Sequence, residues 1–233
     1  YYGVAIYIAT VIVVPSRSMQ QVLQPLTAQY LNDNNKVALK DLYVRSSQTL
    51  FVIGGFIFLI IVLNINQLYE LIPEEFSGGL IVVFLVGVAK LYDCLMGCNN
   101  VVLFNSDYYR VVLLFGVLLT ILTVFLNMLF IPMFGINGSA FATFLAISIY
   151  NTIKIYFVKK KFNMMPFTID TGKVCVLIIV SIVLFYFWEF PFHPIINIAL
   201  KTMLVTLLYV LVILKLNVSE DITLVIKKYL RLK

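Results

Sequence analysis

Charge is scarce in this chain. Only 12% of its 233 residues are Asp, Glu, Lys or Arg, while 62% are apolar, far from the balance with which a soluble domain covers its core. That shortage excludes a water-soluble globular fold, because apolar runs of membrane-crossing length recur along the whole chain. Histidine is nearly missing: His193 stands alone between Pro191 and Pro194, so it reads as a loop residue and supports neither a histidine-based metal site nor a histidine proton relay. Cys94, Cys98 and Cys175 are the only cysteines. They make no disulfide framework, and Cys94 and Cys98, one helical turn apart in an apolar run, lack further zinc ligands and read as small core residues. No metal or other cofactor is expected. The chain also opens on Tyr1 and Tyr2 without an initiator Met or a signal-peptide pattern, so an N-terminal part is expected to precede it.

The charge that is present is unevenly placed. The net +6 comes from basic residues between and beyond the apolar runs, not from a patch interleaved with base-stacking aromatics, which argues against nucleic acid as a partner. Stretches of about twenty apolar residues give seven expected spans, at roughly 3–30, 42–63, 80–104, 111–131, 135–158, 174–190 and 195–216. Lys36, Lys40 and Arg45 follow the first span, Arg110 the third, and Lys159, Lys160, Lys161 and Lys173 the fifth, while Lys227, Lys228, Arg231 and Lys233 close the chain. The opposite connections hold Glu70, Glu74, Glu75 and Glu189, with no Lys or Arg before Lys201. The excess of basic residues marks the cytoplasmic side, which puts the C-terminus inside and Tyr1 outside.

Pro73 with Gly78 and Gly79, Pro132 with Gly135 and Gly138, and Pro191 with Pro194 punctuate the boundaries. The longest external loop, about 64–79, is too small for a catalytic domain. Catalytic residues are accordingly not expected, and the chain is not read as an enzyme. After the last span, Ser219 can cap a helix with Glu220 and Asp221 in its first turn, and Ile222, Val225, Ile226, Tyr229 and Leu230 share one face. With Lys227, Lys228 and Arg231 on other faces, residues 219–233 read as a basic amphipathic tail on the anionic membrane surface or as a solvated end. The remaining organisation is five helices over 1–160 and two more over 161–218.

Ionisable groups at bilayer depth cost about 2.5–3.5 kcal/mol on insertion scales, so they mark cavities, partners or function. Arg17 lies midway along the first span, between Pro15 and Pro25 and ahead of Gln20, Gln21 and Gln24. The two prolines are expected to kink or open the backbone near it. Lys90 and Asp93 are three apart in the third span, with Gly97 and Asn100 continuing their face at helical spacing. Two readings stand for the pair: mutual neutralisation, or participation in a polar pathway. In the fourth span Gly116, Thr120, Thr123 and Asn127 form a mild polar stripe. In the fifth, Gly138, Ala142 and Ala146 read as a packing stripe, with Thr143, Tyr150, Asn151 and Lys154 adding polar groups toward the cytoplasmic end.

Several segments in their order resemble the polysaccharide flippase branch of the multidrug/oligosaccharidyl-lipid/polysaccharide exporter superfamily. They are Pro15-Ser16-Arg17-Ser18-Met19 with Pro25, and Ala89-Lys90-Leu91-Tyr92-Asp93 with Gly97 and Asn99. They continue with Ser106-Asp107-Tyr108-Tyr109-Arg110, and then Asn127 followed by Ile131-Pro132-Met133-Phe134-Gly135-Ile136-Asn137-Gly138-Ser139-Ala140. The resemblance implies an all-α membrane protein with two lobes of six helices around a central cavity, often followed by two extra helices. This chain would supply most of the second lobe and the extra pair, and it departs from the family in lacking the first lobe and one further helix.

What the resemblance implies in function is export of an undecaprenyl-pyrophosphate-linked oligosaccharide, such as an O-antigen precursor, across a bacterial inner membrane by alternating access. Arg17 and Lys90, the latter modulated by Asp93, are the expected pyrophosphate ligands, and Gln21, Gln24, Asn99 and Asn100 the expected sugar ligands. Asp93 is the alternative binding group for a coupling H⁺ or Na⁺. Arginine suits the role because its planar donors stay charged in low dielectric. Two other readings are carried: an ion-coupled multidrug exporter of the same fold, which would favour acids over these cations, and an integral-membrane polysaccharide polymerase or glycosyltransferase, which would need clustered acids and histidines.

Overall fold

The computed structural model describes residues 2–73, 75 and 79–230, apart from the side chains of Tyr229 and Leu230. Expectations placed on Tyr1, Glu74, Gly78, Arg231, Lys233 and those two side chains lie outside the described residues. Among these, the regular structure is all helical: α1 (Tyr2–Thr10), a 3₁₀ turn (Val11–Val13), α2 (Val14–Asn32), α3 (Lys36–Glu70), α4 (Leu80–Leu95), α5 (Asn99–Phe104), α6 (Tyr109–Phe162), α7 (Ile169–Phe185), α8 (Pro194–Leu216) and α9 (Glu220–Leu230). Four helical stretches are long and apolar enough to cross a membrane: Tyr2–Asn32, Lys36–Glu70, Tyr109–Phe162 and Pro194–Leu216. The chain is therefore a helical protein of membrane character.

The first stretch bends, but not where the two prolines bracket Arg17. Pro15 lacks the N–H that would bond the Val11 carbonyl, and the Val14 N–H takes that carbonyl instead, so the break lies at residues 11–13, upstream of Arg17. Pro25 stays inside an uninterrupted α2. The Ile12 carbonyl accepts the Cys94 thiol at 3.4 Å, which fastens the break to α4. Cys94 and Cys98 are fully buried, as small core residues should be, whereas Cys175 is exposed.

The central helix α3 starts and ends beyond its expected apolar limits. Asn35 caps its start, its Oδ1 accepting the Ala38 N–H at 3.0 Å, so Lys36, Lys40 and Arg45 are helical rather than looped. The helix also runs to Glu70, which shortens the connection to α4. Similarly, α7 begins at Ile169 because Thr168 and Thr171 form a capping box, and it ends at Phe185, short of the expected 190.

Residues 109–162 are helical throughout except at Gly135, whose φ of 58° and ψ of −133° reverse the direction. Ser139 Oγ donates to Asn127 Oδ1 at 2.8 Å, although twelve residues of straight helix would span about 18 Å. The Tyr108 and Phe157 ring centroids are 5.4 Å apart. Hence α6 is an antiparallel hairpin of two legs. Gly138 closes it: a Cβ there would collide with the Phe130 carbonyl, so the small-residue stripe is indeed a contact surface, with Ala140, Ala142 and Ala146 also buried.

α4 ends at Leu95 and α5 begins at Asn99, with Gly97 in the left-handed region at φ 53° between them. The freed backbone groups at this break are satisfied from α3. Ser47 Oγ donates to the Leu95 carbonyl at 2.5 Å and the Cys98 N–H donates to Ser46 Oγ at 3.1 Å. Ser46→Ala, which orphans a buried N–H, should cost about 1–3 kcal/mol, read as a fall in thermal stability in detergent.

Some of the basic residues gather at one end of the bundle, Lys36 and Lys161 on one cavity wall and Arg45 beside α9. Arg45, at the start of α3, bonds Asp41 at 2.9 Å and reaches Glu220 at 3.2 Å and Asp221 at 3.8 Å on α9. Ser219 Oγ lies 3.2 Å from Thr49 Oγ1, and Ile222 packs on the core, so the tail is docked at its first turn rather than frayed there. The opposite end holds Tyr2 OH against Ser139 Oγ at 2.9 Å and Gln67 Nε2 donating to Glu189 at 3.4 Å. Lys201 is fully buried near that end, donating to the Leu63 carbonyl at 3.0 Å and fastening α8 to α3.

Candidate functional site

The break between α4 and α5 faces α2 and the second leg of α6, and a cavity of about 300 Å³ lies between them. Arg17 and Gln20 reach it from α2, Asp93 from the end of α4, Asn100 from α5, and Tyr150, Asn151 and Lys154 from α6. A second cavity of about 510 Å³ shares Gln20 and Asn100 and adds Gln24, Phe104 and Asn105. A third, of about 500 Å³, shares Asn100 and Tyr150 and runs along Gly116 and Thr120. Asn100 is thus the corner common to all three.

The charges are arranged unequally. Asp93 is held on both oxygens, by Asn151 Nδ2 at 2.8 Å and by Lys90 Nζ at 3.5 Å. Both members of that pair remain partly accessible, at 24% for Lys90 and 32% for Asp93, which leaves the carboxylate open to the cavity. Lys154 is 1% exposed. Its ammonium donates to Asn100 Oδ1 and lies 4.7 Å over the Tyr150 ring, a cation–π contact that offsets part of its desolvation. Arg17 is exposed to the cavity and forms no ion pair among the described residues. Three cations against one acid leave the cluster positive within largely apolar helices.

Of the residues expected from sequence, Arg17, Asp93 and Asn100 line one cavity, Gln24 lines its neighbour, and Lys90 joins through Asp93. Asn100 does not continue the face of α4, because the helix is interrupted at Gly97; the left-handed turn re-aims it. Asn99, its neighbour, points the other way: it is fully buried and donates to Tyr43 OH at 2.9 Å, which removes it from the cavity. Gln21 is exposed on α2 and lines neither cavity with Arg17 or Gln24. Lys154, Asn151, Tyr150 and Gln20 are the additions. The i, i+3 spacing of Asn151 and Lys154 is the sequence signal that pairs them on one face.

No cluster of three or more His, Cys, Asp or Glu suited to a metal occurs among the described residues. The arrangement can hold an anion between Arg17 and the Lys154 corner, with amides on either side for hydroxyl-rich groups. No family model, curated protein or solved structure matches the chain.

Proposed function

We propose that this chain is one wall of a flippase that moves a pyrophosphate-linked oligosaccharide lipid from the cytoplasmic to the outer leaflet of a bacterial inner membrane. The observation that carries the reading is the net-positive cluster of Arg17, Lys90, Lys154 and Asp93 among helices of membrane character. A diphosphate crossing low dielectric needs fixed cations that do not require resolvation, and sugars need amide donors and acceptors beside them. In this reading the cavity does no bond chemistry. It exposes its contents alternately to each side, and an N-terminal lobe forms the facing wall.

Seven crossings follow from this proposal: α1 with α2, α3, α4 with α5, the two legs of α6, α7 and α8. The pair α4 and α5 is the discontinuous element, and broken helices at depth recur where transporters bind cargo. The basic end lies in the cytoplasm, placing α9 at that leaflet. Of the two asparagines expected to bind sugar, Asn100 keeps that role and Asn99 leaves it, and Lys154 joins Arg17 and Lys90 as a further cation for the diphosphate. A drug exporter for cationic compounds fits less well, since the site's excess charge has the wrong sign.

Cells depleted of the protein should accumulate lipid-linked oligosaccharide on the cytoplasmic leaflet, and re-expression should clear it. Normal surface display in depleted cells would rule the proposal out. Asp93 is the group placed to couple transport to H⁺ or Na⁺. Asp93→Asn should abolish the response of export to an imposed ion gradient while leaving cargo binding; an unchanged gradient response would remove Asp93 from coupling.

A further inference from the structure

We infer that the basic end of the bundle carries a separate pocket for the phosphate-bearing head group of a lipid in the adjoining leaflet. A cavity of about 560 Å³ opens between the α2–α3 turn, the α5–α6 turn and the end of α6, with Lys36, Asp107, Tyr108 and Lys161 on its walls. It shares only Asn105 with the second of the cavities around Asn100, and no lining residue with the one that holds Arg17.

The cations here are uncommitted. Lys173 and Arg45 are already neutralised by Asp170 at 2.7 Å and by Asp41 at 2.9 Å, whereas Lys36 and Lys161 form no ion pair among the described residues. The Lys161 ammonium sits 5.2 Å over the Tyr108 ring, which holds it against a residue that lines the pocket. Asp107 is the single carboxylate in the lining. α3 and α6 start beside the pocket with no acid in their first turns, so their positive ends add to the lysines without carrying the site. Below them Leu39 and Met164, each 3% exposed, give an apolar floor.

An anion with an apolar continuation fits this lining: a phosphate ester whose glycerol or polyprenyl stem rests on Leu39 and Met164. Two lysines against one carboxylate leave a net positive wall, and the mixture of amides and hydroxyls suits a phosphate's spare oxygens. The inference requires only that the basic end meet a leaflet; it stands whether or not the protein exports saccharide.

The test uses the protein in nanodiscs of zwitterionic lipid with graded phosphatidylglycerol, with retained lipid counted by native mass spectrometry. Wild type should retain phosphatidylglycerol preferentially. Each basic residue near the surface is worth about fivefold, so Lys36→Gln with Lys161→Gln should lower the preference by about 25-fold, and Lys36→Arg with Lys161→Arg should keep it. Asp107→Asn should raise it by about fivefold, a gain that a merely structural role would not give. Displacement by glycerol phosphate would show that the phosphate alone is recognised; displacement only by a short-chain polyprenyl diphosphate would assign the pocket to the head of a carrier lipid. An unchanged preference in the double Gln variant overturns the inference, as does an equal loss in Lys227→Gln with Lys228→Gln, which would make the attraction a diffuse property of the surface. Because the readout is bound lipid, loss of export with retained binding leaves this site standing and counts only against the flippase reading.

Discussion

Arg17→Ala should lower export by about 10- to 100-fold at unchanged membrane abundance, and Arg17→Lys should retain a measurable part of it. The magnitude follows from removing one charge-assisted contact to an anion in a poorly hydrated cavity. The choice of Arg17 follows from what its neighbours are doing. Lys90 is engaged with Asp93 at 3.5 Å, and Lys154 is engaged with Asn100 and the Tyr150 ring. Arg17 alone of the three faces the cavity with no partner among the described residues. Lysine keeps the charge but loses the planar fork, so it should rescue partly rather than fully. Wild-type export by Arg17→Ala, with equal protein in the membrane, would take Arg17 out of the cargo site.

Gly97→Ala should be strongly destabilising for a single added methyl. At φ 53° an alanine is strained by about 1–2 kcal/mol. Its Cβ would also lie 2.7 Å from the Ser47 backbone nitrogen and 2.8 Å from Ser46 Oγ, an overlap that typically costs about 1–3 kcal/mol more. A total of about 2–5 kcal/mol is a large part of the roughly 5–15 kcal/mol that holds a typical protein folded. The same turn aims Asn100 into the cavity just beyond Asp93, so export should fall with stability. Gly116→Ala is the control, since nothing lies within 4 Å of the added carbon. If Gly97→Ala melts at the same temperature as Gly116→Ala, the break between α4 and α5 is wrongly placed.

Membrane character was legible because it depends on composition and run length, which no tertiary detail alters. Arg17, Lys90 and Asp93 were legible for a related reason: an ionisable group inside an apolar run is costly wherever it points. Lys154 read only as one of several polar groups toward the cytoplasmic end of the fifth span, five residues before Lys159. Only the approach of α5 shows that it turns inward to Asn100. Helical spacing put Asn100 on the face of Lys90 and Asp93, but the directions Asn99 and Asn100 actually take are set by the left-handed turn at Gly97. That turn in turn depends on Ser46 and Ser47, about fifty residues earlier in the chain, a long-range pairing that periodicity cannot register. The displacement of the proline break upstream of Arg17 has a local cause, the N–H that Pro15 lacks for the Val11 carbonyl, and so could have been read from the direction in which proline acts.

Translocation of a pyrophosphate-linked saccharide would run through a cavity in which Arg17 has no ion-pair partner among the described residues. It is tested most directly by reconstituting the full-length protein in liposomes with a fluorescent polyprenyl-diphosphate oligosaccharide and following, with a membrane-impermeant saccharide-cleaving enzyme, how fast inner-leaflet cargo becomes accessible. Exchange should run well above that of protein-free liposomes and return close to that baseline for Arg17→Ala. Exchange at the protein-free rate by folded wild-type protein, under either direction of H⁺ or Na⁺ gradient, would contradict it.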